Sequence, residues 1–237
     1  MLSLLSLVAV CAALIAAIAG FGIGSLLTPA LAVYVPAKLA VAAVSIPHFL
    51  ATGYRLWLIR SHVDFQLLKS FGAMSAAGGL AGALATLWLS SRALEVVLAA
   101  LLLLVGFGGL AGRTKKLRFE GVWAWVAGAV SGFLGGLVGN QGGLRAGAMM
   151  GLGVSRDAFV ATATATGIVV DAARMPVYLV SQWDELLALW PAIAAMSAGV
   201  LAGTYWGVAV LKRIPERRFM QVVSVLLIGL GAWLLAK

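Results

Sequence analysis

Two glycine-rich stretches hold the residues best suited to gripping a ligand: Gly20-Phe21-Gly22-Ile23-Gly24-Ser25 and Gly135-Gly136-Leu137-Val138-Gly139-Asn140-Gln141-Gly142-Gly143-Leu144-Arg145. Each interrupts a long apolar run, so each predicts a broken helix. Irregular backbone at membrane depth is tolerated only where protein or trapped water satisfies its N–H and C=O groups, because hydrocarbon cannot. Two interruptions in matching places predict a shared cavity, and discontinuous helices are the best sequence pointer to a transporter's binding site. Helices restarting near Ser25 and Leu144 would present backbone amides and the positive end of the helix dipole, which suits an anion. Arg145 adds a full charge and a planar fork matched to oxyanions, while Asn140 and Gln141 add amide donors. The candidate substrate-binding set is Gly22, Gly24, Ser25, Thr28, Asn140, Gln141, Gly142, Gly143 and Arg145, with Arg145 as the one unpaired charge of the cavity. The competing reading gives the glycines to close helix packing and Arg145 to the membrane interface.

Other polar residues fall inside apolar spans. His48, beside Pro47 and midway along its helix, is a candidate proton relay, or a histidine hydrogen-bonded for packing near a proline kink. Asp171 and Arg174 are three apart on one helical face, so they form either a structural ion pair or a second proton-coupling element. Thr162, Thr164 and Thr166 offer hydroxyls, but alternate residues of a helix cannot all face one way, and threonine also bonds its own helix. Cys11, the only cysteine, lies in an apolar run and is expected to be a small buried residue. No grouping of His, Cys, Asp or Glu has metal-ligand spacing, and no nucleophile has a recognisable base, so neither an enzyme nor a metal or other cofactor is expected. A Walker-type phosphate loop is also missing, which excludes direct use of ATP.

The elements that carry these residues follow from composition. Of 237 residues, 62% are hydrophobic and 11% charged, with a mean hydropathy of +1.05; a soluble domain carries about a quarter charged residues. Apolar stretches of roughly 17 to 25 residues, long enough to cross a bilayer as helices, recur along the whole length. The net charge of +9 resides in short connectors between these stretches, where Lys and Arg fix orientation, so nucleic acid is not an expected partner. The first 24 residues resemble a signal peptide without a basic leader and read as retained structure, since a similar segment recurs mid-chain.

The chain repeats itself. Ser131-Gly132-Phe133-Leu134-Gly135 echoes Ala19-Gly20-Phe21-Gly22-Ile23; Arg174 falls where Arg55 fell; Gly199 and Gly203 match Gly78 and Gly82, and Arg213 and Glu216 match Arg92 and Glu95. The organisation is a first membrane repeat over 1–112, a basic cytoplasmic linker over 113–120 and a second repeat over 121–237. Each half has four segments: a broken arm (2–19 with 25–35; 121–138 with 144–153) and three helices (37–59, 66–89, 93–112; 157–180, 186–210, 216–236). If every arm crosses, the halves are parallel and Lys and Arg divide nine against seven; if each arm turns back as a re-entrant hairpin, the halves are inverted and the division is twelve against four. Cytoplasmic sides are rich in these residues, so the expected fold is an all-α polytopic membrane protein of two inverted repeats. Both termini then lie outside the cytoplasm. Glycines four apart predict close helix contact, and the eight tryptophans, mostly toward span ends, read as interfacial anchors.

With its glycine-rich breaks, two-fold repeat and eight apolar segments, the chain resembles the TauE/SafE family of sulfite exporter-like permeases over nearly its whole length. Gly22, Gly24, Thr28 and Pro29, and then Gly139, Gly142 and Gly143, match the family's glycine-rich pattern. The resemblance implies transport of sulfur-containing anions such as sulfite, sulfoacetate and related organosulfur compounds. Asn140, Gln141 and Arg145 depart from the glycine, apolar and proline residues many relatives have there, which points away from sulfite toward a larger carboxylate or sulfonate. The expected protein is a multi-pass secondary transporter of a small anion in the bacterial inner membrane, working by alternating access; an anion channel with a continuous pore is the alternative. Its partners are the anion, membrane lipid and, as one compatible assembly, a second copy of the chain as a homodimer.

Overall fold

The computed structural model describes residues 2–19, 23–111, 121–139, 145, 149, 155–211 and 216–237. Gly22, Asn140, Gln141, Gly142 and Gly143 of the candidate set, and the linker 113–120, lie outside them. Among the described residues the chain forms helices and no strands. The first half comprises α1 (Leu2–Ala19), α2 (Ile23–Ala32), α3 (Ala37–Ile59), α4 (Phe65–Ala85) and α5 (Ser91–Leu110). The second comprises α6 (Val122–Val138), α7 (Arg156–Ser181), α8 (Trp183–Ala188), α9 (Trp190–Leu211) and α10 (Glu216–Ala236).

Short polar residues set several of these boundaries by accepting from first-turn amides. The Asp64 carboxylate accepts from the amides of Gln66 and Leu67, both at 3.0 Å, to start α4. Ser90 does the same for α5 through Ala93 (3.1 Å), and Ser155 for α7 through Ala158 (3.3 Å). Several expected boundaries move, the helix read as 93–112 becoming Ser91–Leu110. The arm read as 25–35 is Ile23–Ala32, because Pro36 stands in extended backbone ahead of α3. The helix read as 66–89 ends at Ala85. The helix read as 186–210 is split at Leu189; an unbroken helix would drive the Pro191 ring into the carbonyl of Leu187.

Among the described residues four helical stretches are long and apolar enough to cross a membrane: Ala37–His62, Phe65–Ala85, Ser91–Leu110 and Asp157–Ser181. Large apolar side chains such as Leu7, Trp88, Leu104, Phe107 and Val180 stand exposed on the outside, a surface that lipid and not water would cover. The chain is therefore a multi-pass helical membrane protein. Seven of the tryptophans are exposed; Trp125 instead leans on Phe71, ring centroids 6.2 Å apart. Cys11 is exposed rather than buried. Leu5, Ala9, Ala12 and Ala13 form the inward face of α1, and Cys11 lies on the other side of that helix.

Small residues decide how the helices meet, as they must where lipid is as apolar as the side chains and close backbone approach supplies the attraction. A Cβ on Gly78 or Gly82 would fall onto the backbone of Ala129 or Phe133 in α6, and one on Gly132 or Gly136 onto Ser75 or Gly79 in α4. The matching glycines of the other half do the same: Gly199 and Gly203 of α9 lie against Ser6 and Val10 of α1. In both pairs residue numbers rise together, so the two helices run in the same direction.

The pairings exchange between the halves. The first arm packs on α9 and the second arm on α4; α3 packs on α9 and its counterpart α7 on α4; α3 meets α7, and α5 meets α10. These last two pairs join corresponding helices, and both run in opposite directions. Along α3 and α7, His48 meets Asp171 and Gly53 lies against Ile168. Along α5 and α10, Arg92 reaches Leu234 while Gly106 lies against Ser224.

Candidate functional site

The contact between α3 and α7 gathers the buried charges. Asp171, Arg174 and Tyr178 project from one face of α7, since residues three and four apart are helical neighbours. Asp171 is wholly buried, and Arg174 and Tyr178 almost so. Arg174 donates to Asp171 Oδ1 from Nε (2.9 Å) and from Nη2 (2.8 Å). The other carboxylate oxygen, Oδ2, lies 2.6 Å from His48 Nδ1 on α3. A carboxylate held between a guanidinium and an imidazole is an acceptor only, so Nδ1 carries the hydrogen and donates. His48 thus joins the ion pair, and the bond ties one half of the protein to the other.

The same face of α7 grips the end of α6. Arg174 Nη1 donates to the carbonyl of Gly135, and the Tyr178 hydroxyl to that of Gly136. These carbonyls belong to the final turn of α6, where helical partners run out and cations are favoured. Gly139 closes that turn in the left-handed conformation, φ +74°, its amide donating to Gly135 O at 3.0 Å. A residue with a Cβ would be strained there. The helix thus ends at Val138, with Gly139 as its C-cap.

The start of α2 comes to the same place. Gly24 sits so close to the Gly139 carbonyl that a Cβ would collide with it, and a Cβ built on Gly139 would lie 3.0 Å from Thr28 Oγ1. Ser25 and Thr28 are buried, and Thr28 Oγ1 has no hydrogen-bond partner among the described residues. Gly24, Ser25 and Thr28 of the candidate set are thus brought to the end of α6; Gly22, Asn140, Gln141, Gly142 and Gly143 lie outside the described residues.

Arg145 corrects one expectation. It is buried, but it is not an unpaired charge: Nη1 donates to the Ala163 carbonyl of α7 at 3.2 Å. Its guanidinium rests beside Gly167, where a Cβ would lie 3.1 Å from Nη1 and 3.3 Å from the Thr52 methyl. Gly167 is one helical turn before Asp171, so the two lie on one face of α7. Arg145 is therefore held on α7 within the same buried contact.

The three threonines divide as alternate helical positions must. Thr162 accepts the Asp64 amide (2.9 Å), Thr164 donates to Val160 O (2.7 Å), and Thr166 Oγ1 is buried without a hydrogen-bond partner among the described residues. Sequence reasoning missed Tyr178, although its spacing of four from Arg174 put it on the right face. It also missed the bond from His48 to Asp171, which spans 123 residues of sequence.

No curated protein and no solved structure matches this chain. The family model described as sulfite exporter TauE/SafE does, over residues 5–234. With nearly its full length accounted for by that match, the chain belongs to the sulfite exporter TauE/SafE family.

Proposed function

We propose that this protein is a secondary transporter of the bacterial inner membrane that moves a small anion by alternating access, the anion being sulfite, a sulfonate or other organosulfur anion, or a small carboxylate. Family membership supports a membrane permease for sulfur-containing anions. The observation that carries the reading is that Gly24 and Thr28 of the first candidate stretch lie against Gly139 of the second. The buried guanidinium of Arg145 is held on α7, and a guanidinium offers a planar fork that suits an oxyanion. Arg145 is the principal charged ligand in this reading, aided by Gly22, Gly24, Ser25, Thr28, Asn140, Gln141, Gly142 and Gly143 around the two breaks.

Inverted repeats are favoured by the opposite directions of α3 and α7 and of α5 and α10. A two-fold axis in the membrane plane reverses corresponding helices, whereas an axis along the membrane normal would leave them parallel. Re-entrant arms fit the same contacts. The arm α1 runs along α9 in the same direction, α9 begins where α7 ends, and α7 ends beside the start of α3. So α1 begins and α2 ends at one side of the bundle. The basic bias assigns the linker 113–120 to the cytoplasm and both termini to the opposite side. Rocking of the halves about α3 and α7 would then expose the breaks to each face in turn.

Thermal denaturation of the purified protein with sulfite, thiosulfate, simple sulfonates and small carboxylates tests the reading. A ligand at 100 times its Kd stabilises the native state by about 2.7 kcal/mol, so at least one anion is expected to raise the melting temperature. Arg145→Ala should remove that rise while circular dichroism stays helical. Undiminished stabilisation of Arg145→Ala would reject the site, and no response to any anion would reject the anion transporter.

A further inference from the structure

We infer that the anion moves together with a proton bound at His48 against Asp171, an inference that rests on the transporter reading above. The bond lies between corresponding helices of the two halves, so any rocking of one half against the other must stretch it or remake it. The two oxygens of Asp171 are committed, Oδ1 to Arg174 and Oδ2 to His48 Nδ1–H. That tautomer puts the basic lone pair of the ring on Nε2. The His48 side chain retains 16% exposure while Asp171 has none, so of the two groups only the imidazole is open to a proton from outside the contact.

The proposed step is a proton binding and release with no other bond changed. A proton from water on one face adds to Nε2, giving an imidazolium that stays against Asp171, and the same proton leaves Nε2 for water on the other face. Protonation of His48 adds one positive charge to the contact that holds Asp171 and Arg174. Proton and anion therefore assist each other's binding, and by linkage the assistance is mutual. The charge shift also has a path to the breaks. Arg174, which shares Asp171 with His48, grips Gly135 O in the last turn of α6, and Gly24 rests on Gly139 at its end.

The other groups around α3 leave this assignment to His48. The helix α7 contributes Asp171, Arg174 and Tyr178, and Arg145 is held on its surface. Packed helices α2, α6 and α9 carry no Asp, Glu, His, Lys or Arg in their described ranges. The helix α5 brings Arg92 and Glu95, which pair with each other at 3.4 Å. Near the ends of the contact are Asp184 and Glu185 of α8, with Arg55, Arg60 and His62 on α3 and its continuation. Of the histidines, His48 alone faces the buried charges; histidine is the side chain whose charge changes between about pH 5 and 8.

The test uses thiosulfate and methanesulfonate, whose own charges do not change in that range. With the wild-type protein, apparent affinity for a bound probe should tighten as pH falls, by up to roughly tenfold per unit for one linked proton. Probe entry into proteoliposomes should acidify a trapped pH-sensitive dye. His48→Gln, whose amide can still donate to Asp171, should bind with the weaker affinity of the wild type at high pH, show a flat pH profile and carry no acidification. Wild-type binding that ignores pH, or transport without proton entry, would overturn the proton coupling and leave the anion transporter standing. An unchanged pH profile in His48→Gln would overturn the assignment to His48. Should that variant fail to fold, the wild-type proton flux still decides. Binding of neither probe at any pH would count against both readings.

Discussion

Two corresponding places in the α3 and α7 contact are filled in opposite ways. The register that sets Arg174 at the position of Arg55 also sets Gly167 at that of His48 and Asp171 at that of Thr52. His48 and Asp171 close on each other at 2.6 Å with Arg174 behind them. Thr52 and Gly167 meet without a charge, and the absent Cβ leaves the surface on which the Arg145 guanidinium rests. Two halves with the same pattern of helix pairing thus differ where they touch: one place holds a charged link, the other a seat for a cation.

Breaking the charged place should have the largest effect. Asp171→Asn leaves Arg174 buried without its counter-charge, and removing one partner of a buried ion pair costs about 3–5 kcal/mol. A large fall in melting temperature is expected in detergent. Filling the open place should cost less. Gly167→Val pushes methyl groups toward Arg145 Nη1 and Thr52, and overpacking of this kind costs about 1–3 kcal/mol. Anion-induced stabilisation should weaken in that variant more than its basal melting temperature does. The smallest change is expected from Tyr178→Phe, which removes one hydrogen bond to Gly136 O, worth about 1 kcal/mol. Thermal denaturation should register a modest loss, with the helical circular dichroism signal intact.

What was legible in the sequence was local. Glycine runs announced the ends of α1 and α6, because glycine weakens a helix and tolerates the left-handed turn seen at Gly139. Gly78, Gly82, Gly199 and Gly203 announced close packing and provide it, since spacing by four lines up one helical face. Asp171 and Arg174 could be paired on the same ground. Contacts between the halves were not legible. Nothing local to His48 names Asp171, and nothing around Arg145 names the Ala163 carbonyl, because both depend on which helices cross and in which direction. The burial of Cys11 was misjudged for the same reason: an apolar run does not say which of its faces meets lipid. The split at Leu189 had a signal in Pro191 that apolar length outweighed.

The most direct measurement of alternating access uses single cysteines in a protein whose exposed Cys11 has been replaced by serine. Thr28→Cys probes the first break, and Thr52→Cys probes the place beside Gly167 and Arg145. Each is labelled by a membrane-impermeant thiol reagent applied to one side of the membrane at a time, with and without a transported anion. The account predicts that the anion raises labelling from one side while lowering it from the other. Labelling from both sides at once, unaffected by the anion, would describe an open pore and contradict it.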